Sequence, residues 1–251
     1  MRLDLVYYFN MLRKIIYFLI SQKRRSNRNG FPSIKNFRHS AASHNAHTYG
    51  EIVFGSAEIL HRSFAYLMNN GIKGHYAEFG VFEGSTTLEA YSASRIFGLN
   101  DVDFFIFDSF QGLPELEGMD GNEVFTKGQF SSSLEKFNKN LKREKADLSR
   151  FHIYPGFYDK VLPELNLGDD KFAFVLVDCD LYSSTVPVLD FLTHKLVQGS
   201  IIAFDDWYCY DSPQKGERLA VSEWLSKNPK IELIEYHNFH WAGKSFIVHI
   251  K

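Results

Sequence analysis

Phe172-Ala173-Phe174-Val175-Leu176-Val177-Asp178-Cys179-Asp180 is the stretch on which the fold turns. Six apolar residues without interruption, followed at once by carboxylates, read as a strand covered on both faces that ends at a polar edge. Gly199 resets the chain, and Ser200-Ile201-Ile202-Ala203-Phe204 repeats the pattern, ending in Asp205-Asp206. Between the two strands, Val188, Leu189 and Leu192 recur at helical spacing. Strand, helix, strand with such apolar strands implies a right-handed crossover in a mostly parallel sheet.

The same alternation extends in both directions. Tyr76–Phe79 is a short strand that opens into Gly80-Val81-Phe82-Glu83-Gly84-Ser85-Thr86-Thr87. Ser85 or Thr86 is placed to cap a helix running to Arg95, which Gly98 ends. Asp103–Phe107 is a second strand with Asp108 at its tip, and Phe110–Phe130, with several glycines and little periodicity, is an excursion across the top of the sheet. Leu134–Leu148 is a charged helix with Leu134, Phe137 and Leu141 on its apolar face, and Phe151–Tyr154 is a third strand. Glu217–Ser226 reads as a helix, and Ile231–Tyr236 and Ser245–Ile250 as an antiparallel pair about Gly243. Ile59, Leu60, Phe64, Leu67 and Met68 mark an earlier helix, stopped by Asn69-Asn70-Gly71. The expected fold is α/β: a doubly wound, Rossmann-like sheet, mostly parallel with an antiparallel C-terminal strand, plus an N-terminal helical cap.

Composition narrows the function. The 251 residues are 45% hydrophobic, enough for one large domain with a real core. Residues 1–40 hold nine of the 28 Lys and Arg and one of the 30 acids, which leaves an acidic main domain. That argues against a nucleic-acid partner, which needs a basic footprint. Cys179 and Cys209 cannot frame a disulfide scaffold, so a reducing, cytoplasmic setting is expected. Residues 1–48 form a basic arm and linker, and 49–251 the domain. Ile15–Ile20 followed by Lys23-Arg24-Arg25 is too short to span a bilayer and lacks a small-residue cleavage site. It suits a helix packed on the body or on a second copy, a peripheral contact with an anionic membrane, or a poorly ordered arm.

In open α/β sheets ligands bind beyond the carboxyl ends of the strands, where strand order reverses. Gly80 and Gly84 let backbone approach a nucleoside there. The spacing is neither the Gly-x-Gly-x-x-Gly of dinucleotide sites nor a phosphate loop. Glu78 would repel pyrophosphate and attract a sulfonium, and Asp108 can accept from both ribose hydroxyls. Asp178, Asp205 and Asp206 converge on one edge of the cleft if their strands are neighbours. Carboxylates so close repel unless protonated or bridged by a cation, and a hard ion such as Mg²⁺ suits them. Asp180 fits a cap on the helix after the fourth strand, Tyr182 fits either the core or the pocket lining, and His152, in the third strand, fits a structural role.

Read together, Glu78–Ser85, Asp108-Ser109-Phe110-Gln111-Gly112-Leu113-Pro114, Pro155–Pro163, Val177–Thr185 and Ile202–Trp207 resemble the macrocin O-methyltransferase family across roughly residues 49–251. That resemblance implies a class I methyltransferase sheet using S-adenosylmethionine and Mg²⁺ to methylate a sugar hydroxyl. It implies metal ligands at Asp178, Asp205 and Asp206, and cofactor contacts at Glu78, Gly80, Gly84, Ser85, Asp108 and Ser109. Members carry a histidine in the excursion after the second strand, considered for proton abstraction; Phe110–Phe130 contains none here. Asp178, or a metal-linked water, is the alternative proton acceptor. The competing functions are a nicotinamide-dependent oxidoreductase, which lacks its glycine fingerprint here, and a non-catalytic glycan-binding or assembly protein. Self-association is expected if the apolar arm is to be covered.

Overall fold

The computed structural model describes residues 46–116, 118–121 and 125–251, with side chains from residue 55 onward. The basic arm expected over residues 1–48, with its apolar run at Ile15–Ile20, lies outside the described residues as far as residue 45. From there the elements run α1 (Ala46–Asn70), β1 (His75–Phe79), α2 (Ser85–Ile96), β2 (Phe104–Asp108), α3 (Leu134–Arg143), β3 (Phe151–Pro155) and the single turn α4 (Tyr158–Val161). They continue through β4 (Phe172–Val177), α5 (Tyr182–Leu192), β5 (Leu196–Phe204), α6 (Gly216–Lys227), β6 (Ile231–Phe239) and β7 (Gly243–Ile250). No helix among the described residues is long and apolar enough to cross a membrane.

The seven strands lie in the order β3-β2-β1-β4-β5-β7-β6. The first five pair in parallel, while β7 runs antiparallel to β5 and to β6. This is the doubly wound sheet with an antiparallel end that the alternation of elements predicts. Because side chains alternate along a strand, each face collects its own core. Tyr76, Phe104, Phe174 and Ile201 pack with Ile59 and Phe64 of α1, Tyr91 of α2 and Phe137 of α3. Phe79, Phe107, Val177 and Phe204 pack on the other face with Val188 and Leu192 of α5 and Val221 and Trp224 of α6. β4 is buried at every position, as its uninterrupted apolar run requires.

Three local details differ from expectation. The cap of α2 is Gly84, at φ 84°, with no side-chain cap bond, rather than Ser85 or Thr86. A side chain at 84 would meet the Phe137 ring, since a Cβ built there lies 2.6 Å from Cε2. The charged helix stops at Arg143 rather than Leu148, where Lys145 turns to φ 56°. β5 begins at Leu196 rather than Ser200, because the strand passes through Gly199 at φ 85° instead of ending there.

Candidate active site

Adjacent strand tips build the site. Phe79 of β1 lies opposite Val177 of β4, and Val177 lies opposite Phe204 of β5. Asp178 and Asp205 are therefore the first residues past neighbouring tips. The Asp178 N–H donates to the Phe79 carbonyl at 2.8 Å and the Asp205 N–H to the Val177 carbonyl at 2.9 Å, which carries the strand register one residue further. The strand order reverses between β1 and β4, the place where this architecture opens a crevice.

On the β1 side, Gly80 sits at φ 91° with its N–H on the Phe107 carbonyl at 2.9 Å. A Cβ there would lie 1.9 Å from the Asp178 carbonyl oxygen, so only glycine lets the two turns touch. Asp108 ties the turn to β2. One of its oxygens accepts from the Val81 N–H at 2.7 Å and the Phe82 N–H at 3.3 Å, the other from the Phe110 N–H at 2.6 Å. Ser109 is engaged locally, donating to the Gly112 carbonyl and accepting from the Gln111 N–H, and Ser85 is exposed at the start of α2. Glu78 is fully buried beneath this turn. Its carboxylate accepts from the hydroxyls of Tyr76 at 3.0 Å, Thr87 at 2.7 Å and Thr86. Burial pushes it up to about 7 against the pull of those donors, with Asp108 adding to the rise. Glu78 thus anchors the first turn of α2 from inside.

The β4 and β5 tips are crowded. Carboxylate oxygens of Asp178, Asp180 and Asp206 lie within 4.8 Å of one another. Asp180, expected as a cap of α5, makes no side-chain cap bond and belongs to this group instead. It is held at φ 60° by its N–H on Asp206 at 3.2 Å and by the Tyr210 hydroxyl donating to its carbonyl at 3.2 Å. Asp205, expected as a ligand beside Asp178 and Asp206, is not in that closest trio: its Oδ1 lies 3.1 Å from Nε2 of His240. Its charge nevertheless acts on all three neighbours. Burial, then repulsion from Asp205 and Asp206, holds Asp178 well above the usual carboxylate range; burial and Asp206 do the same to Asp180. Asp206 is pushed up to about 6 by burial and Asp205, against the Cys209 thiol that donates to it at 2.9 Å.

Three further residues were not legible in the sequence. Glu217, at the start of α6, is buried with Oε2 accepting from the Asp206 N–H at 3.1 Å, and its Oε1 has no partner among the described residues. A carboxylate in the first turn of a helix is ordinary, so nothing marks it. Asp120, buried in the excursion, accepts from the N–H groups of Tyr182 at 2.8 Å and Ser183 at 3.0 Å, capping α5 from a distant segment. His240 lies in the β6–β7 turn. His152 lies far from the tips in sequence register, stacked on Phe105 at 4.7 Å with Nε2 3.2 Å from Asp103. Cys179 and Cys209 are both free thiols.

The profile of the macrocin-O-methyltransferase (TylF) family matches residues 7–230, most of the chain. The chain belongs to this family. Among curated relatives it is similar to demethyldecarbamoylnovobiocin O-methyltransferase of Streptomyces niveus, 27% identical over 189 residues, 73% of this chain and 69% of that protein. It is also similar to 8-demethyl-8-(2,3-dimethoxy-alpha-L-rhamnosyl)-tetracenomycin-C 4'-O-methyltransferase of Streptomyces olivaceus, 27% identical over 148 residues, 56% of each. A third is mycinamicin III 3''-O-methyltransferase of Micromonospora griseorubida, 23% identical over 150 residues, 57% of this chain and 58% of that one. The match spans little more than half the length of two of these three. The fold is shared with the O-methyltransferase NovP, at TM-score 0.64 and 24% identity over 76% of this chain and 78% of that one. It is also shared with the calicheamicin methyltransferase CalS11, at TM-score 0.65 and 19% identity over 90% of each chain. The macrocin-type family assignment and the class I sheet therefore agree.

Proposed function

We propose that this chain transfers a methyl group from S-adenosylmethionine to a hydroxyl of a sugar or glycoside, using a divalent cation at the β4 and β5 tips. The observation that carries the proposal is the crowd of buried carboxylates beside the Gly80 turn, at the crevice where strand order reverses, in a chain of this family. Relatives named as a rhamnosyl-tetracenomycin-C 4'-O-methyltransferase and a mycinamicin III 3''-O-methyltransferase support a sugar-type acceptor.

The residues fit a hard cation. Three carboxylates with oxygens within 4.8 Å, raised by burial and mutual repulsion, are a donor set that a divalent ion relieves. Asp178, Asp180 and Asp206 would hold it, and Asp205, whose Oδ1 lies on His240, would turn Oδ2 to the same ion. A bound ion supplies Lewis-acid polarisation of the acceptor oxygen. The residues also fit the donor: Gly80 lets the turn pack against the Asp178 backbone, Gly84 seats it on Phe137, and Asp108 fastens Val81 and Phe82, so that the turn is formed in advance. Glu78 secures the turn from below. Asp178, which is partly exposed while Asp180 and Asp206 are buried, would receive the hydroxyl proton.

The test is a labelled-methyl assay with S-adenosylmethionine against a panel of rhamnosides and other glycosides, with Mg²⁺ and after chelation, paired with titration of S-adenosylhomocysteine. Transfer that vanishes on chelation and returns with Mg²⁺ is expected. A protein that binds no S-adenosylhomocysteine overturns the assignment, and full activity after chelation removes the cation from it.

A further inference from the structure

His240 brings an imidazole to the site from the C-terminal hairpin, whose turn lies beside the β5 tip. It occupies the turn between β6 and β7 at φ 37°, and its side chain is 2% exposed. Nδ1 lies 3.0 Å from the Ala242 nitrogen and 3.2 Å from the Gly243 nitrogen. Backbone amides only donate, so Nδ1 is the acceptor of both and the ring hydrogen sits on Nε2. Nε2 is 3.1 Å from Asp205 Oδ1. The turn therefore selects the tautomer that donates to Asp205. Two contacts keep the ring in place. The Phe239 ring meets it edge-on at 4.7 Å and 86°, and α1 lies directly on the turn, where a Cβ on Gly55 would be 2.5 Å from the His240 nitrogen. A histidine needed only for its turn would use Nδ1 alone; this one aims its other nitrogen at a carboxylate of the site.

We propose that His240 is a positioning residue for the transfer site, its Nε2–H fixing the orientation in which Asp205 joins the aspartate cluster. The inference rests on the proposed function above. A hydrogen-bonded partner that orients a ligating carboxylate typically contributes ten- to hundredfold to ion affinity or activity.

His240→Asn separates the two roles of the ring. Asparagine tolerates the left-handed backbone and can accept from the Ala242 and Gly243 amides, but it has no donor where Nε2 lies. The variant is expected to melt within about 3 °C of wild type, the ordinary scale of a neutral change. It should bind S-adenosylhomocysteine with unchanged affinity, and lose roughly tenfold or more in both Mg²⁺ affinity, titrated with the metal alone, and kcat. His240→Gln, which returns an N–H donor, should recover most of that loss. On an Asp205→Asn background the His240→Asn change should add nothing, since the two residues act as one unit. Long-range ¹⁵N correlation spectra of the metal-free protein should show the His240 hydrogen on Nε2.

A ring hydrogen on Nδ1, wild-type Mg²⁺ affinity and kcat in His240→Asn, or a further loss on the Asp205→Asn background would each overturn the inference. A wild-type protein that binds neither S-adenosylhomocysteine nor Mg²⁺ overturns the transferase assignment, and this inference with it. That outcome shows in the unaltered chain, so the two failures are distinguishable.

Discussion

The tips of β1 and β2 and the tips of β4 and β5 use the same residue types in the same sheet, yet stand in opposite electrostatic conditions. Glu78 receives three hydroxyl donors and Asp108 three backbone N–H donors, so the carboxylates on that side find their hydrogen-bond partners within the protein, even though burial raises Glu78. On the other side Asp178, Asp180, Asp206 and Glu217 are thrust together, and a neighbouring carboxylate raises the proton affinity of each. The first arrangement is a finished scaffold. The second has an excess of negative charge that protons or a cation must relieve. A parallel sheet can thus keep the tips of β1 and β2 self-contained while leaving those of β4 and β5 dependent on what is bound.

The sharpest way to break this contrast is Asp178→Asn. We expect methyl transfer to fall at least about a hundredfold, the usual scale for losing a group that acts on the reacting atoms. The metal-free melting temperature should rise, because one source of repulsion is gone; a fall would mean that the cluster is already satisfied. The next effect is on pH dependence. Glu78 is raised from 4.5 to about 7, so the folded chain holds this proton more tightly than the unfolded one. Its contribution is fully present below about 4.5 and is lost as pH rises through about 7, on the order of 3 kcal/mol in all. Urea denaturation with Mg²⁺ present, to quiet the Asp206 titration near 6, should show that slope in wild type and not in Glu78→Gln. Asp108→Ala strands three backbone N–H groups at a partly exposed turn and should cost about 2 kcal/mol by the same measurement. Ser85→Ala should change stability by less than about 0.5 kcal/mol, since Gly84 and not Ser85 caps α2. A larger loss would show that the β1 and β2 side depends on surface capping after all.

Much of this was legible beforehand, for identifiable reasons. The apolar runs of β4 and β5 fix two buried neighbours, and neighbouring tips place Asp178 beside Asp205 without any knowledge of side-chain direction. What escaped depends on contacts between segments distant in sequence. His240 reaches Asp205 only because β7 folds back antiparallel on β5, a pairing across 35 positions. Asp180 joins the cluster through a left-handed backbone turn that carries no compositional signal. Ser85 looked like a cap because the hydroxyl residues follow a glycine turn, whereas Thr86 and Thr87 direct their hydroxyls down to Glu78.

The contact of residue 80 with the Asp178 carbonyl has a geometric corollary. With no side chain between the two loops, the proposed function would have the gap between a methyl donor on one and an acceptor oxygen at the other gauged by peptide against peptide. Rotamer changes elsewhere in the cleft can select which hydroxyl enters, but they cannot lengthen that span.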